Sequence, residues 1–445
     1  MSLDLSLCEK AIQQEDLLPG GHITRVGGQT VEAVLPRAQT NSIYRITGQS
    51  GGEGVLAEVI AFRDQTAILA PLGEIRAIGP GDPVVPEGLT DVQVVSEECL
   101  GRIFNALGQP LDGGPPLTGK HVVPIYRPPI NPLQREPIRK VLETGVAAMD
   151  TMLTCGRGQR IGVFAGAGVG KSTLMGMLAR FCEAEVNIVA LIGERGREVR
   201  AFVEDELGKE GLAKSVVFVA TGDEAPIMRL RTAFLATAMA EYFRDRGRQV
   251  LLMMDSLSRV AYALREIGLA AGEPPTTRGY PPSTFSVLPQ LIERAGNGRG
   301  VGTMTAFYSV LVEGDDMTEP VAAAAQSMLD GHVVLSRRLA SSGHFPAIDT
   351  LTSLSRLAEF ICPPGHRDMA RSARQVLSLK QEMEDLIQVG AYQQGADKKV
   401  DRAIKLAPQV SDLFQQDRSE PRSMASAISE LEAILGSKDE TDTPT

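Results

Sequence analysis

The chain of 445 residues contains no tryptophan, and aromatic residues make up only 4% of it. So few rings leave little with which to stack bases, as single-stranded nucleic-acid binders do. A net charge of -10 argues further against a surface built as a nucleic-acid track. Cysteine is scarce as well: Cys8, Cys99, Cys155, Cys182 and Cys362 are odd in number, widely spaced and in no CxxC pair. That spacing speaks against a zinc cluster or a disulfide framework, and reduced thiols in the cytosol are expected. No apolar run approaches the roughly 18 residues of a membrane span. The start, Met1-Ser2-Leu3-Asp4, has neither the basic nor the apolar region of a secretory signal. No stretch recurs at a fixed period, which excludes a solenoid.

Core material is ample. Hydrophobic residues make up 43% of the chain, and the length suggests about three domains. The segment Ala165-Gly166-Ala167-Gly168-Val169-Gly170-Lys171-Ser172 organises the rest. It follows the apolar run Ile161-Gly162-Val163-Phe164 and opens a stretch with helical spacing at Leu174, Met177, Leu178 and Phe181. Strand, glycine loop and helix in that order are what a phosphate-binding loop needs. The glycines let backbone N–H groups curl round phosphate oxygens, and the helix N-terminus adds a favourable dipole. Lys171 would reach the terminal phosphates and the Ser172 hydroxyl would hold Mg²⁺. Gly166, Ala167, Gly168, Val169, Gly170, Lys171, Ser172 and Thr173 are therefore nucleotide-binding candidates. The strict G-x-x-x-x-G-K-[ST] pattern is missed at one position, Ala165.

Residues 1–20 read as a polar N-terminal tail, a small amphipathic helix or a docking segment. From 21 to 98 short strands are expected at 30–35, 42–46, 55–62, 66–69 and 92–95, with turn formers such as Gly27-Gly28, Gly51-Gly52 and Gly79-Pro80-Gly81-Asp82 between them. Short strands at that spacing suggest a small antiparallel β-barrel or sandwich. Residues 99–140 form an extended lead-in, proline-rich from Pro115 to Pro137, that wraps the next domain.

Up to residue 361 the pattern is α/β. Apolar runs at 161–164, 187–192, 216–220, 250–254, 303–308 and 332–335 alternate with helical segments, the signature of a largely parallel sheet covered on both faces. Ligands on such sheets sit at the carboxyl ends of the strands. Val250-Leu251-Leu252-Met253-Met254 runs into Asp255, a Walker B pattern whose carboxylate would hold Mg²⁺; the plainer alternative is a cap for the helix after Ser256. The run ending at Ile192 leads into Gly193-Glu194-Arg195-Gly196-Arg197-Glu198. Hydrolysis needs a carboxylate to polarise water near the γ-phosphate. Glu194, expected beside the phosphate-loop strand, is the candidate, while Glu198 and Arg195 read as a structural ion pair.

Together these motifs resemble the export ATPases of type III secretion systems, relatives of the catalytic subunits of rotary ATP synthases. The resemblance covers roughly residues 20 to 415 and rests on long strings. They include Gly156-Arg157-Gly158-Gln159-Arg160, Leu191-Ile192-Gly193-Glu194-Arg195-Gly196-Arg197-Glu198-Val199-Arg200 and Glu241-Tyr242-Phe243-Arg244-Asp245. The most specific string runs from Arg265-Glu266-Ile267-Gly268 to Gly279-Tyr280-Pro281-Pro282-Ser283, and Glu313-Gly314-Asp315-Asp316-Met317 and Leu329-Asp330-Gly331-His332 add to it. It implies an N-terminal β-barrel, a RecA-like P-loop domain over 99–361 and a C-terminal helical domain over 362–436, with a disordered tail at 437–445.

The resemblance also implies a homohexameric ring that binds ATP and Mg²⁺ at subunit interfaces. Lys171, Glu194 and Arg356 would be catalytic, with Arg356 supplied across the interface to the charge that builds on the γ-phosphate. Ser172 and Asp255 would hold the metal, and Phe345 would pack on adenine. Read alone, Arg356 is a surface arginine and Phe345 a core residue. Ala147, Ala323 and Gln326 depart from the family pattern and bear on ring contacts. Residues 300–317 would face the ring's pore.

Beyond residue 362 the chain reads as helical, with Val376, Leu379, Met383 and Leu386 on one helix face and Met424, Ile428, Leu431 and Leu435 on another. The implied function is ATP hydrolysis that energises protein export by releasing chaperones and unfolding substrates. A flagellar system is favoured over a virulence injectisome. The implied partners are stator, regulator and stalk proteins, export chaperones and substrates, with no nucleic acid. The implied place is the cytoplasm, peripheral to the inner membrane. A rotary synthase subunit, a Rho-type helicase and an inactive nucleotide-binding scaffold ring are the alternatives. Glu194 separates the last from an active enzyme.

Overall fold

Near the start of the described chain, six short strands close on themselves. The computed structural model describes residues 20–436 except 49–53, 76, 88–91, 120, 313 and 315. The expected segment 1–19, the Gly51-Gly52 turn and the tail 437–445 therefore lie outside the described residues. The barrel strands are β1 (Gly21–Val26), β2 (Val31–Val34), β3 (Ile43–Ile46), β4 (Val55–Arg63), β5 (Thr66–Pro71) and β6 (Pro83–Pro86). They run in the order β1-β2-β5-β4-β3-β6, every pair antiparallel. Alternate side chains point inward, so Val31, Ala33, Ile46, Val59, Leu69 and Val84 fill the interior with no exposed surface. Gly21 is required by close approach, since a Cβ there would lie 1.8 Å from the carbonyl oxygen of Val34.

One expected barrel strand belongs elsewhere. β7 (Val92–Val95) leaves the barrel, which already closes through β1 and β6. Beyond β8 (Ile103–Phe104) it finds its partner in β9 (His121–Pro124), from the proline-rich lead-in. The rest of the lead-in lies against the central domain. Prolines offer no N–H, so side chains anchor it. The Tyr126 hydroxyl donates to Glu58 Oε1 at 3.0 Å. Arg127 pairs with Glu241 and Asp245, each at 3.2 Å, and Arg135 donates to the Ala295 carbonyl at 2.6 Å. Arg231 and Glu58, 4% and 2% exposed, pair at 3.4 Å between the barrel and the central domain.

A small ribbon, β10 (Val141–Leu142) with β11 (Cys155–Gly156), precedes the main sheet. That sheet is built from β12 (Arg160–Ala165), β13 (Val186–Glu194), β14 (Ser215–Thr221), β15 (Gln249–Asp255), β16 (Thr303–Leu311), β17 (Gly331–Leu335) and β18 (Leu354–Ser355). Its order is β18-β17-β12-β16-β15-β13-β14-β8. All neighbours are parallel except β18, which runs against β17. The strands expected from apolar runs are all present, and the two-residue edges β8 and β18 are additional. Successive strand residues face opposite layers. Phe164, Ile188, Ala190, Leu252 and Met254 pack under the helices Pro226–Asp245, Leu257–Ala271 and Pro282–Glu293. Val163, Val189, Leu191, Leu251 and Met253 pack against the helix Lys171–Phe181 and the C-terminal helices.

The C-terminal helices are Pro364–Glu382, Glu384–Gln388, Lys398–Phe414 and Met424–Gly436. The expected stripe through Leu386 does not run down one helix. The chain breaks at Met383, and Leu386 is 46% exposed beyond it. Cys99, Cys155, Cys182 and Cys362 are free and buried, and burial pushes the Cys99 and Cys182 thiols up to about 12, which makes them unreactive. Among the described residues no helix is long and apolar enough to cross a membrane.

Candidate nucleotide site

The buried strand β12 ends at Ala165, and the chain then turns through Gly168 (φ 75°) and Gly170 (φ 90°) before the helix begins at Lys171. Two left-handed positions in three residues are cheap for glycine and strained for other residues. They turn successive N–H groups to one side, a nest for an anion at the positive end of the helix dipole. Ala165 stands where the strict motif has glycine, but it is the last strand residue, 1% exposed, and its carbonyl accepts from Val312 N–H at 3.1 Å. No glycine freedom is needed there. Gly166 and Val169 are buried beneath the loop, whereas Ala167, Gly168 and Ser172 face solvent. The Thr173 hydroxyl is turned away and donates to Glu206 Oε1 at 2.9 Å.

Three charged groups converge at the loop's mouth. Lys171 Nζ pairs with Asp255 Oδ1 and lies 3.7 Å from Glu194 Oε1. Ser309 Oγ donates to Asp255 Oδ1 at 2.7 Å. Burial works against the Lys171 charge, but Asp255 and Glu194 together outweigh it and hold the ammonium above its ordinary pKa. Burial, with the Asp255 charge next, raises Glu194 to about 7. A hydrogen bond with Glu198 raises Glu194 further and holds Glu198 low.

The helix-cap alternative for Asp255 does not hold. Ser256 is the cap of Leu257–Ala271, its Oγ accepting from Arg259 N–H at 3.3 Å, which leaves Asp255 to face Lys171. The expectation that Glu194 lies beside the phosphate-loop strand is also corrected. β16 and β15 stand between β12 and β13. A register shift between Ile192 and Glu194, with Gly193 at φ 72°, accompanies the meeting of Glu194 with Lys171. The same kink admits Arg259, whose side chain lies 2.9 Å from where a Gly193 Cβ would sit. Arg259 acts electrostatically on Lys171 and keeps a buried Nε with no hydrogen-bond partner. Arg259 and Ser309 are the site residues that the sequence reading missed. Arg259's place one helical turn after Asp255 was the available signal. The expected pair of Arg195 and Glu198 is present at 3.3 Å.

Phe345 is not a core residue. It is 45% exposed, and its ring edge lies 3.5 Å from the position of a Cβ on Gly170, an open aromatic face against the phosphate loop. Arg356 is not brought to the cluster. It is exposed, its Nη2 donates to the Gln326 carbonyl at 3.1 Å and its N–H to the Asp330 carbonyl at 3.0 Å. Asp330 in turn grips Arg160 at 3.0 Å, the first residue of β12. The Arg356 backbone therefore sits at the opposite end of β12 from its own phosphate loop, about 17 Å of strand away. Ala147 is fully buried, its N–H bonded to Gln416 Oε1 at 3.0 Å, so that departure falls at the junction with the C-terminal helices. Ala323 is exposed and Gln326 half-buried.

An anion nest, an ammonium and two carboxylates in this order suit a polyphosphate. The Ser172 hydroxyl and the Asp255 carboxylate are hard oxygen donors fit for a small divalent cation. Two clefts, about 890 and 710 Å³, lie between the barrel and the helices Pro226–Asp245 and Leu257–Ala271. Neither is lined by the loop, and the chemistry is not there.

Comparison with known proteins agrees with this geometry. Residues 23–88 match the beta-barrel domain of the ATP synthase alpha/beta family, and residues 145–355 match its nucleotide-binding domain. Residues 362–433 match the T3SS EscN ATPase C-terminal domain. The chain is 47% identical to a flagellum-specific ATP synthase of Bacillus subtilis, covering 94% of this chain and 96% of that one. It is 46% identical to a type 3 secretion system ATPase of Xanthomonas euvesicatoria, covering 89% of each. Among solved structures it resembles the assembled ATPase EscN in complex with its central stalk EscO, from the type III secretion system of enteropathogenic E. coli. The TM-score is 0.86 and the identity 39%, over 94% of this chain and 100% of that one.

Proposed function

The chain belongs to the export ATPases of type III secretion systems, a P-loop ATPase family that includes the flagellum-specific ATP synthases, and from that premise we propose how it works. It hydrolyses ATP as a homohexameric ring to energise protein export by a flagellar apparatus, releasing chaperones and unfolding substrates at the inner membrane. A central stalk protein binds the assembly, as EscO does the assembled EscN.

The convergence of Lys171, Glu194 and Asp255 at the mouth of the phosphate loop carries this reading. The loop N–H groups and Lys171 hold the β- and γ-phosphates. Ser172 and Asp255 hold Mg²⁺, which when bound neutralises charge on the phosphate oxygens. Glu194 accepts hydrogen bonding from the attacking water and polarises it. Phe345 offers its exposed ring to the base. Arg356 is too far from its own loop to serve it, so it completes the pocket of a neighbouring copy and stabilises the transition-state charge there. Glu194 standing within reach of Lys171 favours a working enzyme over an inactive scaffold ring.

The test is specific ATPase activity across a dilution series. Activity per chain should fall as the ring dissociates, and Glu194→Gln should bind ATP without turning it over. Equal activity in isolated single chains, or turnover by Glu194→Gln, would overturn the reading.

A further inference from the structure

We propose that Gln416 is a positioning residue that sets nucleotide affinity by fixing the Phe345 ring over the phosphate loop, without itself touching the nucleotide. The inference rests on the reading of Phe345 as the base's platform and adds how that platform is held. Gln416 lies just beyond the helix Lys398–Phe414, in the segment that leads to the last helix. Its backbone N–H donates to the Phe345 carbonyl at 2.9 Å. Its side chain is bonded at both ends to the central domain. Nε2 donates to the Gly145 carbonyl at 2.7 Å and to the Glu420 carbonyl at 2.7 Å, and Oε1 accepts from Ala147 N–H at 3.0 Å.

The far anchor is stiff. The buried Asp150 carboxylate accepts from Thr144 N–H at 2.9 Å, Thr144 Oγ1 at 2.7 Å and Gly145 N–H at 3.0 Å. The Gly145 carbonyl also receives the Arg422 N–H at 3.1 Å. One amide therefore ties the seat of the C-terminal helices to the loop 144–147 and presents the backbone that holds Phe345. The tie spans 71 positions of chain between Phe345 and Gln416, and Ser411 Oγ beside His344 Nδ1 at 3.4 Å adds a second contact between the same segments. Truncating the amide leaves the backbone N–H in place but removes what aims it. The ring then samples other positions, and binding pays an ordering cost.

Because the chain has no tryptophan, Phe345→Trp supplies a single fluorophore at the ring. In the full-length protein, Gln416→Ala should raise the KM for ATP about five- to tenfold, the range of an aromatic packing contact, with kcat held within about twofold. Gln416→Glu keeps the size and the acceptor for Ala147 N–H but cannot donate to Gly145 or Glu420. A carboxylate oxygen there faces the Gly145 and Glu420 carbonyls, acceptor against acceptor. Its rise should be at least as large as that of the alanine variant, and it keeps the test open if the alanine variant fails to fold. In the Phe345→Trp background either change should lower the anisotropy of the nucleotide-free tryptophan. Combined with Phe345→Ala, Gln416→Ala should add nothing to KM. An unchanged KM and anisotropy in both Gln416 variants, or a double variant whose KM is the product of the single effects, overturns the proposal. If Phe345→Ala itself leaves KM unchanged, the platform reading fails and this proposal with it. A raised KM in Phe345→Ala beside silent Gln416 variants sinks this proposal alone.

Discussion

The acidity of Glu194 gives a pH dependence that can be worked out before any measurement. Burial and the facing Asp255 hold its carboxyl at about 7, and the form that polarises water is the carboxylate. Below 7 the proton stays on, and the fraction of active enzyme falls about tenfold per pH unit well under that point. Lys171 stays an ammonium throughout, because its two carboxylate neighbours raise it. The acid limb of kcat/KM, which reports groups of the free enzyme, should thus be centred near 7 and reach a plateau by about pH 8. Glu198→Gln is the informative perturbation. Glu198 now raises Glu194 through a shared hydrogen bond; an amide in its place donates to the carboxylate and favours the charged form. The limb should move to lower pH, and a one-unit move would raise the rate at pH 6 about fivefold. A coupled-enzyme ATPase assay across the range reads this directly. A flat profile between pH 6 and 8, a limb that persists in Glu194→Gln, or a limb that Glu198→Gln moves upward would refute the reasoning.

Two further outcomes are expected. Arg356→Ala should lower kcat by about 10³-fold or more, yet regain activity when mixed with Glu194→Gln chains, because mixed interfaces rebuild whole pockets. A mixture as inactive as its parts would refute the shared pocket. Arg231→Met breaks the buried pair with Glu58 and should cost about 3 to 5 kcal/mol by urea unfolding, while Arg→Lys at an exposed position such as Arg200 should cost nothing measurable. A loss under about 1 kcal/mol for Arg231→Met would show that the pair does not hold the barrel to the central domain.

What could be read from the sequence was what is local. The phosphate loop, Asp255 and the six apolar runs announce themselves within a few residues, because a strand buried on both faces is a continuous hydrophobic string. β8 and β18 are two residues long and exist only through partners far away in the chain. β6 is bracketed by Pro83 and Pro86, which read as turn formers, and β7 alternates like a barrel strand but finds its mate in β9. The same holds at the site. Lys171, Glu194 and Asp255 carry motifs, whereas Ser309 and Gln416 matter through contacts across 54 and 71 positions of chain. The error about Glu194's neighbour was one of strand order, which no local pattern encodes.

The seat of Arg356 has a mechanical consequence. Its backbone leans on Asp330, Asp330 clasps Arg160, and Arg160 begins the short, six-residue rod that ends in the phosphate loop. If Arg356 serves the next pocket as proposed, the residue it lends and the cradle for a chain's own fuel are mounted at the two ends of a single stiff member. On that reading a tilt of the member as one pocket closes would carry the loaned arginine with it, and neighbours round a ring would feel each other's loading without a separate relay.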